Sequence, residues 1–166
     1  MTDDAPPFVV PALDLDERET LLAFLDWKRA NVLQAARELT DEQCRWTPSN
    51  GLLPVGGIIN HLTHVEGRWI DGKYLCVDLP PADPATEFMT TRPLAELVAD
   101  YNERRRRTNE VVRAAPDLDV ACPGGARPNP QLTLRWVLYH LLEETAQHAG
   151  HAEATRELLD GRRTGD

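Results

Sequence analysis

The sequence has few lysines, few cysteines, few aromatic residues and no long apolar run, and each shortage excludes something. Only two of its 18 basic residues are lysine, and 27 acidic residues bring the net charge to −9. A balance that negative repels phosphate backbones and anionic lipid unless basic residues gather on one face, so neither nucleic acid nor membrane is expected as a partner. No apolar stretch approaches the ~20 residues of a membrane span. The cysteines, Cys44, Cys76 and Cys122, form no C-x-x-C pair, and their odd number argues against a disulfide framework. No phosphate-binding glycine loop, dinucleotide fingerprint or serine elbow is present, and no segment shows the alternation of a strand. Met1-Thr2-Asp3-Asp4 is acidic and only a short apolar stretch follows, so no secretory signal is read and a cytoplasmic location is expected.

What is present is helical periodicity. The length of 166 residues, with 42% hydrophobic and 27% charged residues, suits a single globular domain. Residues 1–15, with Pro6, Pro7 and Pro11, read as an extended arm, 16–161 as a helical bundle and 162–166 as a tail. Leu22, Leu25, Arg29, Val32, Leu33, Ala36 and Leu39 recur at spacings of three and four and predict a helix over 16–39, capped by Asp14 or Asp16. A short turn follows at 40–43. A second long helix is predicted over 54–73, with Ile58, Leu62, Val65 and Trp69 on one face. A third is predicted over 91–114, and a fourth over 133–160 with Gly161 as its stop. The stretches 77–91 and 116–130, rich in proline, read as loops. Four long helices with polar connections predict an all-α four-helix bundle.

The five histidines lie on two of those helices, His61 and His64 on the second and His140, His148 and His151 on the fourth. Bundle cores build metal sites from such residues on facing helices. Helical phase sorts them. On the fourth helix His148 falls roughly 40° and Glu144 roughly 80° from the centre of the apolar sector, whereas His140 and His151 lie more than about 100° away. On the second, His61 is about 70° off the apolar centre and His64 about 130°. His61, Glu144 and His148 are therefore the candidate ligands of a divalent metal, with zinc expected first and nickel, cobalt, iron or manganese also suited to the donors. Three protein ligands leave a coordination position open, the catalytic rather than the structural pattern. His64, His140 and His151 border that group or face solvent, and Arg68 and Arg156 are candidates to hold a substrate carboxylate or to form salt bridges.

Three local words extend the reading. Gly57-Ile58-Ile59-Asn60-His61-Leu62-Thr63-His64-Val65-Glu66-Gly67-Arg68-Trp69 resembles the second helix of the DinB-like superfamily, and Glu143-Glu144-Thr145-Ala146-Gln147-His148-Ala149-Gly150-His151 its fourth-helix signature. Glu17 to Trp27 is similar to the opening of a branch found largely in high-GC bacteria, a source that the preference for arginine also suggests. The resemblance implies a four-helix bundle, often a homodimer, holding a divalent metal through positions that match His61, Glu144 and His148. Many members carry His where this chain has Glu144; the branch of mycothiol-dependent maleylpyruvate isomerase carries Glu. The resemblance further implies mycothiol as co-substrate, so that a small-molecule thiol and an electrophile are the expected partners of an S-transferase or isomerase. A non-catalytic metal-binding dimer and a metal-dependent hydrolase remain alternatives.

Two other features carry ordinary readings. Arg104-Arg105-Arg106-Arg107 points in nearly all directions around a helix and is expected as solvated surface or a dimer rim. The four tryptophans are expected as core or interface anchors, and none of the cysteines has an evident base partner.

Overall fold

The computed structural model describes residues 9–49, 51–122 and 132–163; the outer part of the expected N-terminal arm, Gly124-Gly125 with the rest of 123–131, and the end of the tail lie outside them. The described residues form an all-α bundle with four long helical rods and no strand beyond an isolated bridge between Ala121 and Thr133. Among the described residues, no helix is long and apolar enough to cross a membrane.

Helix α1 (Glu17–Ala36) begins where the Asp16 carboxylate accepts from the Glu19 amide at 2.9 Å, with Glu17 and Glu19 in the first turn. It ends three residues before the expected stop, because Glu38 takes a positive φ of 63° and Thr40 opens a new turn. That turn, α2 (Asp41–Cys44), is fixed by a reciprocal capping box between Thr40 and Gln43. Helix α3 (Val55–Glu66) then runs through the two glycines at its start. The single α-helix predicted over 54–73 stops at Glu66, and Gly67–Tyr74 continues as a π-helix, closed by Leu75 N–H on Ile70 C=O at 2.9 Å. The turns there are wider than α-helical phase assumes, yet Trp69, half-buried, still packs against the apolar core as expected.

The 77–91 crossover contains a one-turn helix, α4 (Pro84–Glu87), that periodicity did not predict. Helix α5 (Leu94–Ala114) follows Pro93. Helix α6 (Leu134–Asp160) starts where Thr133 accepts from the Trp136 amide and stops at Gly161, whose φ of 78° belongs to the left-handed region that glycine enters without strain. The described part of the 116–130 segment is pinned to the start of α6 by Cys122 N–H on Leu132 C=O, Leu134 N–H on Val120 C=O and Arg135 N–H on Leu118 C=O.

Helix α1 packs mainly along α6, and α3 packs on α5 and α6. The core divides into two apolar clusters. One gathers Leu21, Leu22, Leu25, Val112, Leu138 and Leu141; the other gathers Val32, Ile58, Ile59, Leu62, Leu97 and Ala152. Between them sits a buried polar layer. Arg29, on the apolar stripe of α1 and fully enclosed, donates to both oxygens of Glu66 at 2.8 and 2.6 Å. It also donates to Asp26 and to Asn109, while the Thr108 hydroxyl donates to Glu66 at 2.7 Å. Three helices, α1, α3 and α5, are thereby locked in register at one level.

The four-arginine run is paired with carboxylates, while Arg106 and Arg107 stay exposed to solvent as expected. Arg104 and Arg107 clasp Asp71 of the π segment, Arg106 pairs with Glu103 and Glu110 on its own helix, and Arg105 approaches Asp26 at 3.8 Å.

A buried ion pair that loses one member leaves an uncompensated charge. Arg29→Ala is therefore expected to lower unfolding free energy by about 3–5 kcal/mol, read from urea denaturation. A loss under about 1 kcal/mol would contradict the role given to this layer.

Candidate functional site

Beside that polar layer, α3 and α6 present His61, Glu144 and His148 to one another. One donor atom from each lies within 4.8 Å of the other two. The two imidazoles are 7% exposed apiece, and their ring centroids stand 5.0 Å apart. The helical phases that placed these three residues together are the phases the structure has, since the shift to π-helix begins only after His61.

The orientation of His61 is set from outside both helices. Its Nδ1 lies 2.8 Å from a carboxylate oxygen of Glu87 at the end of α4. Arg68 donates to the other oxygen of the same carboxylate. A carboxylate so paired accepts, so Nδ1 carries the proton and the Nε2 lone pair is left for another partner. Phe88, the next residue, stacks on the His61 ring at 4.3 Å and lies 5.7 Å from His148. The crossover is held down by the Asn60 side-chain amide, which donates to the Glu87 carbonyl at 2.8 Å. It comes so close to α3 that a Cβ on Gly57 would collide with the Phe88 carbonyl. Gly57 is thus the residue that lets the loop seat its carboxylate on His61.

Glu87 and Phe88 were missed by sequence reading. Glu87 is one of three acidic residues in a proline-rich loop, beside Asp78 and Asp83, and its partner is 26 residues away in the chain.

His148 has a different setting. Its Nδ1 is buried without a hydrogen-bond partner, and its Nε2 is 3.6 Å from Glu144 Oε2, too far for a hydrogen bond. Burial, reinforced by the neighbouring His61 and His151 rings, pushes its pKa down to about 4. Burial also lowers that of His61, partly offset by the hydrogen bond to Glu87. Both imidazoles are therefore neutral at pH 7, the form in which a ring nitrogen can ligate a metal.

The remaining candidates are distributed around this group. His151 touches the His148 ring at 5.5 Å. His140 approaches Glu144 Oε1 at 3.7 Å and packs against Trp69 and Trp136 at 4.4 and 5.3 Å. His64 faces outward, its Nδ1 on the Asn60 carbonyl, and joins Thr63, Arg68, Thr86, Glu87 and Arg104 in lining a cleft of about 430 Å³. Arg156 lies apart. It is buried and donates to Asp160 and to the Ala35 and Arg37 carbonyls at the end of α1, so it clamps the bundle and does not border the donor group. The buried thiols of Cys44 and Cys122 are shifted upward by desolvation, Cys122 to about 11, and offer no nucleophile at neutral pH.

The donor group has a measurable consequence in metal-free protein. Free imidazoles titrate near pH 6.5 and His148 near 4, so between those values the unfolded chain binds more protons than the folded one. Stability is expected to be fully present above about pH 6.5 and to fall as pH drops toward 4. His148→Asn should flatten that slope in urea midpoints measured at several pH values; an unchanged slope would contradict the burial of a neutral ring.

Comparison with known proteins agrees with this architecture. The family described as mycothiol-S-transferase matches residues 20–161. A crystal structure of a conserved protein from Enterococcus faecalis is similar with a TM-score of 0.68 and 15% identity, over 89% of this chain and 99% of that one. Among curated proteins, none matches this chain.

Proposed function

Because the chain belongs to the mycothiol S-transferase family, within the DinB-like superfamily, we propose that it is a metal-dependent enzyme joining a small-molecule thiol of the mycothiol type to an electrophile, or isomerising one through such a thiol. The observation that carries the reading is the unsatisfied donor set. Glu144 makes no close hydrogen bond to either neighbouring imidazole, the Nδ1 of His148 is buried and unpartnered, and Glu87 fixes the His61 tautomer so that Nε2 stays available. Orphaned buried polar atoms are uncommon in folded proteins, and three donors converging within 4.8 Å fit a divalent ion.

His61, Glu144 and His148 would hold that ion, with zinc the first expectation and nickel, cobalt, iron or manganese suited to the same nitrogen and oxygen donors. When bound, it supplies positive charge that stabilises a thiolate at neutral pH.

The rest falls to the protein's own side chains. Glu87 holds His61 in one tautomer and one orientation, and Arg68 holds Glu87. Phe88 covers the imidazole and keeps water from that side, so that charge interactions within the group are less screened. The cleft that meets Glu87 has a volume within the range of small-molecule sites, and its Arg68 and Arg104 can orient an anionic group. The His64 imidazole stands exposed at its rim, with its Nδ1 on the Asn60 carbonyl.

Elemental analysis together with a thiol-conjugation assay tests the reading. Wild-type protein is expected to carry one tightly held divalent ion per chain and to turn over mycothiol with a generic electrophile; His148→Ala is expected to lose both. Equal metal content in the two proteins would end the ligand assignment. Metal without turnover across electrophiles and esters would point to a binding protein, and ester cleavage without thiol to a hydrolase. Glu87→Gln, which keeps the shape and removes the charge, is expected to weaken metal affinity roughly 10- to 100-fold in a competition titration with a chelator. An unchanged affinity would show that Glu87 only anchors the loop.

A further inference from the structure

Glu144 belongs to two donor groups. Besides His61 and His148, it shares a second set with His140 and Glu143, and one donor atom from each of these three also lies within 4.8 Å of the other two. Its two oxygens are divided between the sets. Oε2 faces His148 Nε2 at 3.6 Å, and Oε1 faces His140 Nε2 at 3.7 Å. Neither separation is a hydrogen bond. Both are close to the edge of a coordination shell, because two donors each about 2.0–2.1 Å from a zinc-sized ion stand roughly 3.3–3.4 Å apart at the tetrahedral angle. The carboxylate is thus poised between two imidazoles, with a gap on either side that a small cation closes better than a proton does.

We propose that α6 carries a second divalent-cation position, built from His140 Nε2, a Glu143 carboxylate oxygen and Glu144 Oε1, with Glu144 bridging it to the inner position. Residues at i, i+3 and i+4 share one helix face, so the chelate needs no rearrangement of the backbone. His140 is held for the purpose. The Trp69 ring meets it edge-on at 4.4 Å and the Trp136 ring stacks on it at 5.3 Å, which restricts the imidazole before any ion arrives. Trp69 makes this contact from the π-helical stretch that follows Glu66. Carboxylate-bridged pairs of ions sit about 3.5–4 Å apart in two-metal enzymes, a separation one Glu side chain can span. Glu143 is exposed and His140 half-buried, whereas His61 and His148 are buried. The outer position is therefore the more hydrated and the weaker. This second position rests on the inner one only for the bridge; its own ligands are separate.

Cobalt(II) titration of metal-free protein, counted by equilibrium dialysis and followed by visible absorbance, tests the proposal directly. The wild type is expected to take up two equivalents, the second roughly 10- to 100-fold more weakly than the first. Glu143→Gln and His140→Gln are each expected to take up one, with the tight phase intact; Glu143 is exposed, so its variant folds even if the other does not. His61→Ala is expected to lose the tight phase and keep a weak one. A single equivalent in the wild type, abolished in His148→Ala and untouched in Glu143→Gln and His140→Gln, overturns the second position and leaves the proposed function standing. Two equivalents persisting in both of those glutamine variants overturn it as well, because the second ion then lies elsewhere. No uptake at all overturns both readings.

Discussion

A single buried carboxylate governs the geometry of the donor group. Glu87 accepts from His61 Nδ1 with one oxygen and from Arg68 with the other, so the ring can neither flip nor change tautomer without breaking a charge-assisted contact in a desolvated place. That contact exists only because the crossover between α3 and α5 lies flat on α3, and it lies flat because residue 57 has no side chain to hold it off. Phe88 arrives by the same seating and closes one side of the imidazole. A loop that would otherwise be a mere connection is in this way part of the site, and its carboxylate is as consequential as the helical ligands it serves.

The bundle beneath is organised to tolerate such polarity. Two apolar clusters lie along the helices, and the buried Arg29–Glu66 network lies between them. Such networks add little net stability compared with well-packed apolar residues, but every donor and acceptor must be matched, and only one register of α1, α3 and α5 matches them. His61 stands five residues before Glu66 on the same helix, so the register that satisfies Glu66 also sets the height of His61 against His148. Desolvation then does the chemical preparation by keeping both imidazoles neutral, which removes the need to displace protons before a cation binds at neutral pH.

The parts legible in the sequence were those decided locally. Helical phase alone put His61, Glu144 and His148 on converging faces, since both stretches are regular α-helix where those residues sit. The cap at Asp16, one of the two residues offered for it, and the glycine stop at 161 follow from chemistry within three or four residues. What escaped depends on distance along the chain. Arg29 looked like one more member of an apolar stripe until Glu66, Asp26 and Asn109 were seen around it. Glu87 and Phe88 sat in a segment read as a loop, with no periodicity to give them a direction. The π-helix after Glu66 carries no signal in the apolar spacing, and the contact of Trp69 with His140 joins residues far apart in the chain. Of the two roles left open for Arg156, the structure has the salt bridge: two turns from His148, it pairs with Asp160, and its other donors close the end of α1.

The central claim is that two imidazoles and one carboxylate, from α3 and α6, share an ion. X-ray absorption at the metal edge, recorded on protein loaded with one equivalent, measures that shell directly. The account predicts nitrogen and oxygen scatterers only, at about 2.0–2.2 Å, with the outer-shell pattern of two imidazole rings that falls to one ring in His148→Ala. A sulfur scatterer near 2.3 Å from a protein thiol, or a shell of light atoms with no imidazole pattern, would contradict it.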